Sequence, residues 1–559
     1  MAQTVLPFTL DKRSLNGHTA EFMSQLPDTL REACNESPFL ASYVKGLPID
    51  EIGIPEYYPK PSRSLSGLDY RNLIYPIGEG LYVHIYPDVL GARDHHIAIE
   101  PTIIVDVEDL IPEVENRLVH WAEEIGRIED KEEKRVLLLD LIDKICTSNP
   151  KNKGSKLPVS PMELEGIKYR IIRDKIGLGV LQPLLLDPNI EDISCSGIGH
   201  IFIEHKIFKS VQSSICFATH DEVDEFAVWL GEWIKSPVTV RNPLVDSVLP
   251  DGSRINIVYG REISKRGSNF TIRKFSGTPL SVLELISFGS LNYMMASYLS
   301  FMLEEGMNVF VVGATASGKT TLLNAINTFM KPDAKIVTIE DTPEVHVPHK
   351  NWVQEVTRHM GADNKGGEVG MFELLKAALR QRPDRIIVGE IRSIEAVVAF
   401  QAMQTGHGVM STFHAASVEK LIQRLTGDPI NIPKTYIDNL NLAVSQSAVR
   451  LADGRGARRV LSINEIIGYD PISESFSFLE AFRWNPATDE FEFPGYMNSY
   501  LLEQIIAIKR GIPPHKRKMI YTEVQRRAKI FEKLHLEKGV TDFNEFFQIL
   551  SEARKQNLL

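Results

Sequence analysis

The segment Gly313-Ala314-Thr315-Ala316-Ser317-Gly318-Lys319-Thr320 is a complete GxxxxGK[ST] pattern. It follows an apolar, β-branched run at 308–312 and opens a stretch of helical spacing at 319–330, the context its mechanism needs. Its glycines let the backbone wrap phosphate oxygens. Successive N–H groups and the start of the helix supply positive potential. Lys319 is placed for the β- and γ-phosphates and the Thr320 hydroxyl for Mg²⁺. Ala314, Thr315, Ala316, Ser317 and Thr321 complete the cradle. The chemistry implied is binding of ATP with Mg²⁺.

Three further boxes lie at strand ends. Arg385-Ile386-Ile387-Val388-Gly389-Glu390 is an apolar strand ending in a carboxylate, with Gly389 where many P-loop enzymes carry a metal-side Asp. Glu390 is therefore a candidate both for catalysis and for the metal. Ile339-Glu340-Asp341-Thr342-Pro343-Glu344 places Glu340 and Glu344 as rivals to position or deprotonate the attacking water, with Asp341 as an outer metal group. Thr405-Gly406-His407-Gly408 leads into Met410-Ser411-Thr412-Phe413-His414, whose two histidines flank one strand. That makes His407 and His414 candidate γ-phosphate sensors. A lone strand-end Glu is usually solvated and a lone His usually packed. Ligands of open α/β sheets, however, sit beyond the carboxyl ends of the strands, so these boxes should converge.

The elements that must position them read as strand and helix in alternation after residue 282, the mark of a parallel α/β sheet. Apolar runs at 308–312, 335–340, 385–390 and 409–414 alternate with helical spacing at 319–330, 371–380 and 394–403. Upstream, 1–60 reads as irregular, 73–100 as short strands and 112–147 as charged helix. A Lys, Ser, Gly, Asn and Pro-rich linker spans 149–160. A mixed module covers 161–275, with strands at 201–204, 254–259 and 269–275. Ser276-Gly277-Thr278-Pro279 then breaks the pattern. The last sixty residues read as mostly helical.

The 559 residues predict roughly three or four folding units. Hydrophobic residues at 43% and charged residues at 24% exclude a disordered or collagen-like chain. No run reaches the ~18 apolar residues of a spanning helix, and no signal peptide is legible. Cys34, Cys146, Cys195 and Cys216 form no CxxC pair, which points to a reducing compartment. A net charge of −11 argues against nucleic-acid binding. The basic end, with Lys509, Arg510, Lys516, Arg517, Lys518, Arg526 and Arg527, reads as a solvated helical face.

The four boxes in this order resemble the secretion ATPase superfamily, the motors of type II secretion, type IV pili and archaella. The acidic box is similar to that family's Asp box, Thr405 to His414 to its His box, and Gly389 to its altered Walker B. Upstream, Leu185-Leu186-Asp187-Pro188-Asn189-Ile190-Glu191-Asp192-Ile193, Asp251-Gly252-Ser253-Arg254-Ile255-Asn256 and Phe270-Thr271-Ile272-Arg273-Lys274 resemble its N-terminal domain. The resemblance covers about 160–480. No cysteine follows Cys216, so the four-cysteine zinc element of bacterial members is absent. That absence, with Arg450, Arg458-Arg459-Val460 and the long amino-terminal region, resembles the archaeal branch. Within it, 439–448 and Ser462-Ile463-Asn464-Glu465-Ile466 look most like the archaellum motor.

The resemblance implies a variable region at 1–150, an α/β N-terminal (PAS-like) domain at 161–275 and a RecA-like ATPase domain with a helical end at 282–559. It implies a homo-hexamer in the cytoplasm, held peripherally at the membrane by a polytopic platform protein. It also implies nucleotide between the domains, so that Arg254 or Arg273 reaches the γ-phosphate, where transition-state charge favours a guanidinium. Arg380 and Arg382, just before Pro383, are further candidates that read equally as helix-end cations. An archaeal type IV pilus or type II-like secretion motor is the alternative. Two other classes are a nucleic-acid translocase, which lacks an aromatic and basic strip here, and a non-hydrolysing module, which would need a degraded box.

Overall fold

The computed structural model describes residues 3–10, 19–88, 91, 93–148, 156–275, 279–358, 369–556 and 558. Residues 149–155 of the expected linker, and Ser276, Gly277 and Thr278 of the expected breaker, lie outside them. The chain forms two compact units, Met1–Ser276 and Gly277–Leu559.

In the first unit the strands are β1 (Gln3–Thr4), β2 (Glu56–Tyr57), β3 (Leu73–Gly78), β4 (Leu81–Tyr86), β5 (His95–Ile99), β6 (Cys146–Thr147), β7 (Leu157–Pro158), β8 (Ile190–Cys195), β9 (Gly199–His205), β10 (Lys209–Phe217), β11 (Leu244–Val248), β12 (Arg254–Val258) and β13 (Asn269–Arg273). All but β6 and β7 join one sheet, in the order β11-β12-β13-β8-β9-β10-β5-β4-β3-β2, with β1 on β10. The seam is β10 against β5, parallel, with Gln212 opposite His95. The boundary expected between 150 and 161 is therefore not a boundary between sheets.

A buried polar cluster crosses that seam. The fully buried Asp187 accepts from Tyr75 Oη at 2.6 Å and His96 Nε2 at 2.9 Å. Tyr75 Oη also lies 3.1 Å from His205 Nε2. Burial alone would raise the Asp187 pKa, but His96, His205 and Tyr75 outweigh it and hold the carboxyl ionised.

The stretch 1–60, expected to be irregular, carries the helices Asp28–Glu36 and Pro38–Lys45. Pro27, Pro38 and Pro48 stand at helix starts rather than breaking helices. Pro38 occupies the first turn, where a missing N–H costs nothing, and Ser37 Oγ caps Leu40 N at 3.3 Å.

In the second unit the strands are β14 (Val309–Val312), β15 (Ile336–Glu340), β16 (Trp352–Val356), β17 (Arg385–Ile391), β18 (Gly408–Phe413), β19 (Leu442–Arg450), β20 (Gly456–Asp470), β21 (Ser475–Asn485) and β22 (Glu490–Glu492). Among the described residues they form one nine-stranded sheet, in the order β16-β15-β17-β18-β14-β19-β20-β21-β22. It is parallel from β16 to β19 and antiparallel beyond. The central strands are buried on both faces, so they read as unbroken apolar runs. In β14, Val309 and Val311 enter one core and Phe310 and Val312 the other. This is a RecA-like P-loop domain following an α/β amino-terminal unit.

The chain end packs back on this domain through helices Ile520–Leu536 and Phe543–Lys555. Glu304, mostly buried, receives Arg527 at 2.8 Å, Arg510 at 3.0 Å and Arg554 at 3.5 Å. Part of the basic end thus clasps the domain, while Lys516 and Lys518 stay exposed. No helix among the described residues is long and apolar enough to cross a membrane.

Candidate nucleotide site

The loop from Gly313 to Gly318 joins β14 to helix Lys319–Asn327. Gly318 enters that helix at φ +92°, a left-handed conformation open to glycine, and Ala316 stands at φ +60°. Left-handed residues set among right-handed ones turn successive backbone N–H groups toward one concavity, which is how such a loop holds anions. Lys319 is 8% exposed and its Nζ donates to Ala314 O at 3.0 Å. Burial lowers the Lys319 pKa, opposed by the charges of Glu390 and Glu344.

Glu390 and His414 end adjacent parallel strands, β17 and β18, beside the loop. Their side chains meet: His414 Nε2 lies 2.5 Å from Glu390 Oε1 and 3.5 Å from Lys319 Nζ. Burial pulls the imidazole pKa down and Glu390 pulls it back up, with Lys319, Arg392 and Arg424 adding to the lowering. Arg424, from helix Val418–Thr426, donates to His414 O and stacks on the Phe413 ring, 4.9 Å to its centroid.

The strand β17 slips register between Val388 and Glu390, so Gly389 is a bulge that re-aims the carboxylate after it. Thr412 Oγ1 donates to Gly389 O at 2.7 Å and fixes it. A Cβ at Gly389 would stand 3.0 Å from Glu340 Cγ.

The two glutamates of the acidic box occupy different settings. Glu340 is 1% exposed and its Oε1 accepts from Glu344 N and Val345 N, both at 2.8 Å. Burial raises its pKa to about 7, against those hydrogen bonds. Glu344 is exposed, on the turn that Glu340 organises.

Arg392 spans the remaining carboxylates. Its Nε and NH2 reach Glu390 Oε2 at 2.8 and 2.5 Å, and its NH1 lies 3.8 Å from Asp341 Oδ2. Thr357 Oγ1 donates to Asp341 Oδ1 at 3.1 Å. Glu395 shapes the turn, accepting from Arg392 N at 2.5 Å and Ser393 N at 2.7 Å. The guanidinium holds a positive charge between two carboxylates. The donors expected for Mg²⁺, Thr320, Asp341 and Glu390, are all oxygens, as a hard cation requires. Among the described residues no cluster of three or more His, Cys, Asp or Glu forms a metal cage. The set thus suits an ion that takes most of its ligands from phosphates and water.

The other candidates stand elsewhere. His407 precedes β18, at the end opposite His414, and its Nδ1 lies 3.0 Å from Thr405 Oγ1. A six-residue strand separates the two histidines by roughly 20 Å, so the fold does not bring His407 to the loop. Arg380 and Arg382 likewise precede β17, at the end away from Glu390. In the first unit, Arg254 and Arg273 are direct cross-strand partners on β12 and β13. Arg254 pairs with Asp246 at 2.8 Å and Arg273 with Asp192 at 3.2 Å, and both are well exposed. Arg392 and Arg424 were missed by sequence reasoning. Only Arg392, two residues past a strand-end Glu, left a local signal.

The model of the family described as "Type II/IV secretion system protein" matches residues 174–473. The uncharacterized protein MJ0900 of Methanocaldococcus jannaschii is 43% identical over 518 residues, 90% of this chain and 93% of that protein. Type IV secretion system protein VirB11 of Bartonella henselae is 32% identical over 242 residues, 37% of this chain and 67% of that protein. Among solved structures, the Legionella pneumophila ATPase DotB is 18% identical with a TM-score of 0.38, covering 65% of this chain and 92% of that one. With more than half of its length matched, this chain belongs to the type II/IV secretion system protein family.

Proposed function

We propose that the protein is an ATP-hydrolysing motor of a type IV filament or secretion machine. The observation that carries this is the meeting of Lys319, His414 and Glu390 beside a phosphate-binding loop at the carboxyl ends of parallel strands. Lys319 would neutralise the β- and γ-phosphates, as its charge and partial burial favour. Glu344, exposed on a turn that Glu340 pins, would position and deprotonate the water. Glu390 would hold its charge toward Thr320 and the nucleotide-bound Mg²⁺, with Asp341 in the outer shell, and His414 would report the γ-phosphate. Mg²⁺, when bound, neutralises charge building on the phosphoryl oxygens. Arg254 and Arg273 would supply guanidinium charge from the first unit.

The family supports a ring of six copies, acting in the cytoplasm on a polytopic membrane platform. The finer reading as an archaellum motor rests on the archaeal resemblance of the sequence alone, since the Methanocaldococcus jannaschii relative is itself uncharacterized. Phosphate release by the full-length protein tests the enzyme. Lys319→Ala should abolish it together with ADP binding. Retained turnover in that variant would reject the site. Loss of filaments, or loss of swimming with filaments intact, on gene deletion tests which machine is driven.

A further inference from the structure

The motif residues of the nucleotide site lie to one side of the phosphate loop. Glu344 follows β15, Glu390 is the penultimate residue of β17 and His414 follows β18; these strands precede β14 in the sheet order, whereas β19 and β20 come after it. Those two strands run on past the end of β14. Val312, the last residue of β14, pairs with Ser445, and farther along Ser447 pairs with Arg459 and Ala448 with Arg458.

The adjacent arginines are used differently. Arg459 is 5% exposed and fully committed: Nε and NH2 reach the Asp489 carboxylate at 2.8 Å each, and NH1 donates to Phe288 O at 3.0 Å. Arg458 is exposed and forms no ion pair among the described residues. Its Nε donates to Ala316 O at 3.2 Å, within the loop itself. A Cβ at Gly318 would lie 3.1 Å from Arg458 Cδ and 3.6 Å from Gln446 Nε2. A guanidinium that no carboxylate among the described residues balances is thus held against a loop built for anions.

A second observation points to a ligand. Among the described residues Ser317 Oγ and Gln446 Oε1 have no hydrogen-bond partner, although their residues are 1% and 4% exposed. The Ser317 hydroxyl and the Gln446 backbone both crowd the start of the loop: a Cβ at Gly313 would stand 2.6 Å from Ser317 Oγ and 2.2 Å from the Gln446 carbonyl oxygen. Buried polar atoms left unpaired are costly, so they mark a place where a polar ligand or a small shift of the loop completes the bonding.

We infer that Arg458 binds the nucleotide at its α-phosphate, with Ser317 and Gln446 supporting the loop beside it. The inference rests on the ATP reading above. A triphosphate whose γ end lies by Glu390 and His414 crosses the loop, so its α end emerges over β19 and β20. There a guanidinium makes charge-assisted hydrogen bonds to phosphate oxygens. This contact is the same in substrate, transition state and product, so it strengthens binding more than it speeds the chemical step.

Calorimetric titration of the full-length protein with ADP tests it, alongside steady-state ATP turnover. Arg458→Ala should weaken ADP binding at least about tenfold, the loss of one charged hydrogen bond. KM for ATP should rise in the same proportion, with kcat changing far less. Arg458→Lys should fall between. An Arg458→Ala protein that melts like wild type and binds ADP as tightly overturns the inference. So does a fall in kcat with ADP affinity unchanged, which would put the guanidinium at the γ end. If wild type binds no ADP, the ATP reading fails and this one with it. If wild type binds, Lys319→Ala does not, and Arg458→Ala equals wild type, this inference alone fails.

Discussion

Gly389 packs against Glu340: a Cβ on the glycine would lie 3.0 Å from Glu340 Cγ and 3.3 Å from its Oε1. The missing Walker B aspartate thus has a steric cause. An Asp at 389 would collide with a buried carboxyl and set a second charge beside it. Gly389→Ala should cost about 1–3 kcal/mol of stability through overpacking. Denaturant unfolding of Gly389→Ala, Glu340→Ala and the pair checks this. The double variant should recover most of the glycine's loss, and strict additivity would show that the two residues do not press on each other.

Glu390→Gln should keep nucleotide affinity and lose hydrolysis. The amide keeps the shape but not the charge that meets His414 and Arg392. Separate measurements of ADP affinity and kcat decide it, with a fall of about 10²-fold or more in kcat expected. An unchanged kcat would leave Glu390 a structural partner of Arg392.

Glu344→Gln should lower kcat more than Glu340→Gln does. Glu344 is exposed, whereas Glu340 spends Oε1 on the Glu344 and Val345 N–H groups, bonds that a glutamine oxygen can also accept. Single-turnover hydrolysis by each variant ranks them. The reverse order would make Glu340, not Glu344, the group that acts on the water.

Stability should also report Glu340. Its pKa rises from 4.5 to about 7 on folding, so the native state binds the extra proton. Native stability from this group is therefore full below pH 4.5 and is lost as pH rises through about 7. Glu340→Gln removes that dependence. Relative to wild type it should gain up to about 3 kcal/mol between pH 5 and pH 8 in urea unfolding. A constant difference across that range would mean the carboxyl is not protonated in the folded protein.

Arg254→Ala and Arg273→Ala should lower kcat while leaving ADP affinity near wild type, because a γ-phosphate guanidinium matters chiefly in the transition state. Each arginine already has a carboxylate partner, Asp246 or Asp192, and they pair across β12 and β13. Either can cover for the other at that position, so the double variant is the decisive measurement. Full turnover in the double variant would assign both to the sheet surface.

What the sequence alone determined is local. The phosphate loop, the strand-end carboxylates and His414 were legible because each is set within a few residues of an apolar run. The rule that ligands gather at the carboxyl ends of parallel strands then brings them together. That rule also shows why His407 fails: it sits seven residues before His414, at the wrong end of one strand. Other features depend on which strands become neighbours, a choice made by burial of both sheet faces rather than by any short motif. The pairing of β10 with β5 merges the amino-terminal region with the module after it. Pairing of β17 with β15 puts Glu340 under Gly389, and pairing of β19 with β14 and β20 lays Arg458 on the loop 142 residues before it. Contacts at such separations leave no periodicity or spacing to read. They exist only once the core has closed and excluded water from both faces of the sheet.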